Sequence, residues 1–202
     1  GGRDQNEDSL SLQLARLRRK QAAFLAVCDG IGSLSEGETA SGFVVEQMTA
    51  WFWERALPYL KKRRWEASVG RSALRRLYRL QEKIEQYERQ ERIRSGATCT
   101  LAVLCQNRFL ILHSGDSRAY LVGKQEKQLT KDHRQGGKLC RCIGDFGFRT
   151  PDMVQGRLKR GQLLLLCTDG YCHCLPEGFL REWLGMEKYR GKQGEERLRE
   201  RM

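Results

Sequence analysis

The chain has 202 residues, of which 40% are apolar and 31% are charged. This length and composition are typical of one globular domain spanning residues 1–202. No apolar run approaches the roughly 20 residues that a membrane-spanning helix needs, so we expect no membrane span. Lys and Arg exceed Asp and Glu by 12, which makes nucleic acid or another acidic surface a candidate partner.

The chain contains eight cysteines, several of them inside apolar stretches. This placement favours a reduced, cytoplasmic protein over a disulfide scaffold. A zinc site is a weaker interpretation, because the spacing differs from the C-x₂₋₄-C of zinc ribbons. The pairs concerned are Cys140 with Cys142 and Cys172 with Cys174.

Two strands are predicted near the amino terminus. Residues 9–14 alternate polar and leucine side chains, which predicts a half-buried strand with its three leucines on one face. Residues 22–28 are continuously apolar, which is typical of a strand buried on both faces. That second strand delivers Asp29 and Gly30 at its end.

Two helices and a further group of strands are predicted to follow. Apolar residues at helical spacing predict one helix over residues 40–52, ending before Pro58, and an amphipathic helix over residues 74–87. Between residues 98 and 167 the pattern changes to short apolar strands separated by Gly, Asn and Asp. This order predicts an α+β fold rather than a doubly wound sheet.

Four short acidic clusters lie beside predicted strands. A carboxylate at the end of a buried strand is held rigidly, and a neighbouring glycine allows close approach of a ligand. Each cluster alone is most simply a turn, but several converging carboxylates would suit Mg²⁺ or Mn²⁺. The clusters are N-E-D at 6–8, C-D-G-I-G at 28–32, S-G-D-S-R at 114–118 and C-T-D-G at 167–170.

The order of these motifs resembles the metal-dependent Ser/Thr protein phosphatases (PPM family, protein phosphatase type 2C), especially compact bacterial members. The resemblance covers about residues 3–184. The matching segments are R-D-Q-N-E-D-S at 3–9, V-C-D-G-I-G-S at 27–33, G-A-T-C-T at 96–100, G-D-S-R-A-Y-L at 115–121, L-T-K-D-H at 129–133, C-I-G at 142–144 and L-C-T-D-G at 166–170.

The resemblance implies a four-layer αββα sandwich of two antiparallel sheets flanked by antiparallel helix pairs. It also implies roles for individual residues: Asp29 bridges two metal ions, and Gly30 binds the first through its carbonyl. Asp169 binds the second ion, and Asp116 joins Asp169 around a weaker third. Glu7 and Asp8 hold metal-bound waters, and Arg3 binds the substrate phosphate, a task that suits its planar guanidinium.

The implied reaction is hydrolysis of phosphoserine and phosphothreonine in proteins by a hydroxide bridging two Mg²⁺ or Mn²⁺ ions. The implied partners are phosphorylated proteins and a Ser/Thr kinase, and the implied protein is a monomer. One departure from the family pattern stands out, because no Asp-Asn pair follows Asp169. We therefore expect a chain that lacks its C-terminal strands or, alternatively, a catalytically weak or inactive phosphatase-like binding module.

The basic excess is concentrated in residues 54–94, with 13 Lys and Arg against 6 Glu. The simplest interpretation is the solvated face of surface helices. A docking surface for acidic phosphoprotein segments is the alternative. Nucleic acid is disfavoured, since no helix-turn-helix, zinc finger or aromatic nucleic-acid-binding motif is present.

Overall fold

The computed structural model describes residues 6–32, 34, 36–144 and 148–172. The strands are β1 (Asp8–Leu17), β2 (Lys20–Asp29), β3 (Gly96–Ala97), β4 (Cys99–Cys105), β5 (Arg108–Ser114), β6 (Arg118–Val122), β7 (Glu126–Gln128), β8 (Arg134–Gln135), β9 (Lys138–Leu139), β10 (Ile143–Gly144), β11 (Asp152–Arg157) and β12 (Leu163–Cys167). The helices are α1 (Gly37–Trp51), a π-helix (Phe52–Ala56), α2 (Leu57–Leu60), α3 (Glu66–Glu91) and α4 (Asp169–Cys172). The α+β prediction is confirmed.

The central layer is a five-stranded antiparallel sheet in the order β1-β2-β4-β5-β11. Successive side chains of a strand point to opposite faces, and in β4 both sets are apolar. Leu101 and Val103 belong to the core on one face, and Ala102 belongs to the core on the other. The continuous apolar runs of the central strands therefore result from burial on both faces.

One face of this sheet is covered by α1, the π-helix and α3. Along α3, Val69, Ala73 and Leu77 are fully buried at four-residue spacing, which places one stripe of the helix against the sheet. The prediction that the first helix ends before Pro58 is wrong, because helical backbone continues from α1 through the π-helix and α2 to Leu60. Pro58 lies in the first turn of α2, where a missing N–H is tolerated, and the π-helix carries the chain into that turn.

The other face is covered in part by a three-stranded sheet in the order β12-β6-β7. Ile111 and Phe109 of β5 form a core with Ala119 of β6, so the two sheets pack face to face. The described residues thus form three layers, namely helices, sheet and sheet. The four-layer sandwich stays a prediction.

The prediction that the leucine face of β1 is buried is wrong. The three leucines share one face, but Leu10 is 76% exposed, Leu12 61% and Leu14 73%. The three described strands of the second sheet leave this face uncovered, whereas α1 packs against the opposite face of β1 through Ser9 and Ser11. In the part of the chain that the structure describes, no helix has the length and apolar character to cross a membrane.

Candidate active site

The hairpin of β1 and β2 brings two of the predicted carboxylates together. Its antiparallel register pairs Asp8 with Asp29. The backbone of Asp29 is fixed by Thr98, which accepts the Asp29 N–H on Oγ1 at 2.9 Å and donates its own N–H to the Asp29 carbonyl at 2.9 Å. Two hydrogen bonds to one residue hold Asp29 at the end of its strand.

The other two acidic motifs reach the same place from the second sheet. Asp169 begins α4, separated from β12 by one residue, and its carboxylate lies close enough to Asp29 for its charge to raise the pKa of Asp29. The neighbouring Thr168 donates from Oγ1 to Oδ2 of Asp8 at 3.1 Å. Asp116 lies in the loop between β5 and β6, where it accepts a hydrogen bond from Arg134 at 2.9 Å. The structure therefore brings together Asp8, Asp29, Asp116 and Asp169.

The carboxylate cluster carries an excess of negative charge, which the ion pair of Arg134 with Asp116 offsets only in part. Burial raises the pKa of Asp29 to about 8, with further contributions from the charges of Asp8 and Asp169. The pKa of Asp116 is also raised, first by burial and then by Asp169, although Arg134 opposes the shift. Repulsion of this kind is relieved when a cation binds between the carboxylates.

Gly30 and Glu7 lie where β2 meets the start of α1. The Gly30 N–H donates to the Glu7 carbonyl at 3.0 Å. A Cβ on Gly30 would overlap the backbone of Gly37 and stand 2.9 Å from the Cβ of Glu7. Only glycine fits this junction, which explains the glycine of the D-G motif by close packing rather than by a positive φ.

A cavity of about 560 Å³ opens over the cluster. Its lining includes Asp29, Gly30, Asp116 and Asp169. Neither Glu7 nor Asp8 belongs to the lining; both stand beside it, at the start of β1. Arg3 lies outside the described residues, as does any metal ligand after residue 172, so the structure bears on neither.

Two basic residues of the cavity, Arg134 and Lys138, were missed by the sequence analysis. They sit on the β8–β9 hairpin, whose turn is made by Gly136 and Gly137 with φ of +56° and +77°. Such positive φ values at both turn positions favour Gly-Gly in two-residue hairpins. The sequence Gln-Gly-Gly-Lys was the signal that predicts this hairpin and could have found both side chains.

His133 braces the loop that carries Asp116. Its ring Nδ1 accepts the Gly115 N–H at 3.0 Å, and its backbone N–H donates to the Gly115 carbonyl at 2.8 Å. Its Nε2 lies 3.1 Å from Oδ2 of Asp152 on β11. Gly115 itself has φ of +126° and a Cβ position blocked by Thr98. His133 is thus a positioning residue for the loop.

The donor set of the cavity fits a hard divalent cation. Among the described residues that line it, the metal-binding side chains are carboxylates, with no thiol or imidazole, and such a set suits Mg²⁺ or Mn²⁺ better than zinc. Within the residues described, no group of three or more acidic, histidine or cysteine side chains forms a ready-made ion site. The fit therefore rests on the chemistry of the donors and on the raised pKa of Asp29.

Comparison with known proteins shows what the chain resembles. The family model for protein phosphatase 2C matches residues 3–201. A protein of Listeria innocua named serine/threonine phosphatase stp is 26% identical over 181 residues, covering 78% of this chain and 70% of that protein.

Solved structures share the fold over nearly the whole chain. The serine/threonine phosphatase Stp1 of Staphylococcus aureus has a TM-score of 0.79 at 23% identity, with 98% of this chain and 83% of that chain covered. The catalytic domain of the phosphatase PstP, solved with two manganese ions, has a TM-score of 0.67 at 23% identity, with 98% and 85% covered.

Proposed function

Because the chain belongs to the protein phosphatase 2C family, we propose that it hydrolyses phosphoserine and phosphothreonine in proteins at the carboxylate cluster. The cofactors are two divalent ions, Mg²⁺ or Mn²⁺, with a weaker third. Asp29 and the Gly30 carbonyl hold the first ion, and Asp29 with Asp169 the second. Asp116 joins Asp169 at the third, and Glu7 and Asp8 hold water at the edge of the site.

One observation carries this proposal. Asp29 is surrounded by three other carboxylates from separate parts of the chain, and burial with these neighbours raises its pKa to about 8. A folded protein keeps such mutual repulsion at a cost in stability, and a divalent cation removes that cost. Bound there, the ions supply Lewis-acid activation of water and neutralise charge on the phosphoryl group.

The chain's own residues bind and orient the substrate. Arg134 and Lys138 are the basic side chains among the residues that line the cavity, so they attract the phosphate dianion to a site that is otherwise negative. Arg134 is also held by Asp116 at 2.9 Å, which fixes its guanidinium. Arg3 is proposed to bind the phosphate as well. Thr98 keeps Asp29 in place throughout.

The proposed substrates are the products of a Ser/Thr kinase in the same compartment. All seven described cysteines are free thiols, which supports a reducing environment, and we place the protein in the cytoplasm as a monomer.

A phosphothreonine peptide tests the proposal, with released phosphate as the readout and Mn²⁺ titrated from zero. We expect hydrolysis that depends on Mn²⁺ and is lost in Asp29→Asn. The matched control is Glu82→Gln, which removes an exposed carboxylate of α3 and should leave the rate unchanged. Hydrolysis without metal would contradict the proposal. Mn²⁺-dependent binding of the peptide without turnover would favour the inactive binding module instead.

A further inference from the structure

A second cavity, of about 300 Å³, lies between the π-helix and α3. Its lining carries four arginines, Arg55, Arg75, Arg76 and Arg79, against a single acidic residue, Glu54. Its charged groups therefore sum to +3. Concave surfaces lined by one sign of charge focus the electrostatic field and raise the local concentration of counter-ions.

The arginine cavity is far from the carboxylate cluster. Gly37, at the start of α1, packs against Gly30, whereas Trp51, at the end of this 15-residue helix, lines the arginine cavity. At 1.5 Å per residue the two ends of α1 are about 21 Å apart. An anion in the arginine cavity would therefore not touch a phosphate bound at the carboxylate cluster.

Salt bridges within the described part of the protein leave the charges of these arginines unpaired. Among the residues that the structure describes, Arg55, Arg75 and Arg79 have no acidic partner within the 4.0 Å of a salt bridge. Arg76 donates from Nη2 to Oε1 of Gln47 at 2.9 Å, but its Nε is buried and has no hydrogen-bond partner. A buried N–H without an acceptor costs stability. An anion bound in the cavity would supply the acceptor that the Arg76 Nε–H lacks.

Hydrogen bonds and buried aromatic side chains fix the walls of the cavity. Trp51, 2% exposed, donates from its indole N–H to Ser72 Oγ at 3.0 Å, which links α1 to α3 at the base. Arg55 of the π-helix lines the cavity together with arginines of α3, and such wide turns within helices are frequent at functional sites. The Tyr59 ring forms another part of the lining, with the Lys62 ammonium 5.4 Å from its centroid.

We propose that this cavity binds a compact oligophosphate, either inorganic or as the phosphate chain of a nucleotide. Planar guanidinium groups bind phosphate oxygens in pairs, and four of them exceed what one phosphate dianion can neutralise. A chain of two or three phosphates matches the charge of the cavity. The ligand would bridge the π-helix and α3, so it stabilises the folded protein.

Binding is tested by isothermal titration of the whole chain with tripolyphosphate, ATP and inorganic phosphate. EDTA is present throughout, so that no metal ion recruits phosphate to the carboxylate cluster. We expect tripolyphosphate to bind more tightly than phosphate at matched ionic strength. An ATP affinity equal to that of tripolyphosphate indicates recognition of the phosphate chain alone, and a tighter ATP affinity indicates a nucleotide. Either result supports the site.

The test variant is Arg75→Gln with Arg79→Gln, and the control is Arg71→Gln with Lys83→Gln. All four side chains are exposed on α3, but Arg71 and Lys83 do not line the arginine cavity. We expect the test variant to bind tripolyphosphate at least about tenfold more weakly, since charge-assisted hydrogen bonds are lost, and the control to bind normally. Both variants should keep the Mn²⁺-dependent phosphatase rate. Equal weakening in both variants would show a diffuse charge effect and overturn the proposal. So would binding of single-stranded RNA in the absence of tripolyphosphate binding.

Discussion

Asp8 lies directly opposite Asp29 in the register of β1 and β2, so the hairpin holds two carboxylates side by side. Like charges facing each other across a strand pair are destabilising. Thr168 donates to Asp8, which ties the end of β12 to this pair and brings Asp169 to Asp29. The arrangement is unfavourable in the metal-free protein and becomes favourable when a divalent cation binds.

Metal binding should therefore stabilise the protein through Asp29. We expect Mn²⁺ to raise the Tm of the unaltered chain, because the ion removes the repulsion within the carboxylate cluster. Asp29→Asn should raise the Tm of the metal-free protein and reduce the response to Mn²⁺. Differential scanning calorimetry with EDTA and then with Mn²⁺ measures both effects. An equal Mn²⁺ response in the variant would place the ion elsewhere.

The close packing at Gly30 gives a second prediction. Gly30→Ala should destabilise the protein by about 2 kcal/mol and weaken Mn²⁺ binding, because the new Cβ would overlap the backbone of Gly37 and push α1 away from β2. Gly42→Ala is the matched control. The nearest atom to its Cβ would be Ser9 Oγ at 3.8 Å, and alanine in a helix is more stable than glycine by about 0.5–1 kcal/mol. Urea unfolding should thus give opposite signs for the two variants.

The positions of the four carboxylates were predictable because each lies at, or within two residues of, one end of a strand. The sheet then fixes where the motif lies, as the predicted strand 22–28 does for Asp29. Longer-range features were not predictable in this way. β11 is a polar strand at the sheet edge whose residues pair with residues of β5 that lie 39 to 49 positions earlier in the chain, and its sequence shows little apolar alternation.

The helical layer likewise contains features that the sequence pattern did not predict. Pro58 ordinarily ends a helix, but the π-helix before it changes the hydrogen-bond pattern, so that Pro58 falls in a first turn. Phe52 and Ala56 of the π-helix are fully buried, and Phe52 stacks on Phe24 of β2 with ring centroids 5.3 Å apart, a tertiary contact that local spacing does not predict. The leucines of β1 likewise share a face because of local alternation, whereas their exposure depends on what the second sheet covers.

His133 is predicted to act through the loop at Gly115 rather than on the substrate. His133→Ala should cost about 1–3 kcal/mol, because the buried Gly115 N–H loses its acceptor. It should also weaken the effect of the third ion near Asp116. His133→Asn offers an amide oxygen close to the position of Nδ1 and should recover much of the stability. Urea unfolding and the Mn²⁺ dependence of kcat distinguish this role from a direct one, for which Asn would not rescue activity.

The buried His113 predicts how stability depends on pH. It is fully buried, and burial, followed by the charge of His133, lowers its pKa to about 4 from an ordinary value of 6.5. Its Nε2–H donates to the Lys131 carbonyl at 3.0 Å, and its Nδ1 accepts from Thr100 Oγ1 at 3.0 Å. The folded protein therefore holds the neutral ring.

Between about pH 4 and pH 6.5, His113 binds a proton in the unfolded chain but not in the folded protein. The free energy of unfolding therefore falls as the pH drops from about 6.5 toward 4. His113→Gln keeps a donor for the Lys131 carbonyl and removes the titrating group. We expect the free energy of unfolding of this variant to fall less steeply over this range, because unfolding then takes up close to one proton fewer than in the unaltered protein. Urea unfolding at a series of pH values gives both slopes, and parallel slopes would show that the ring is protonated in the folded protein.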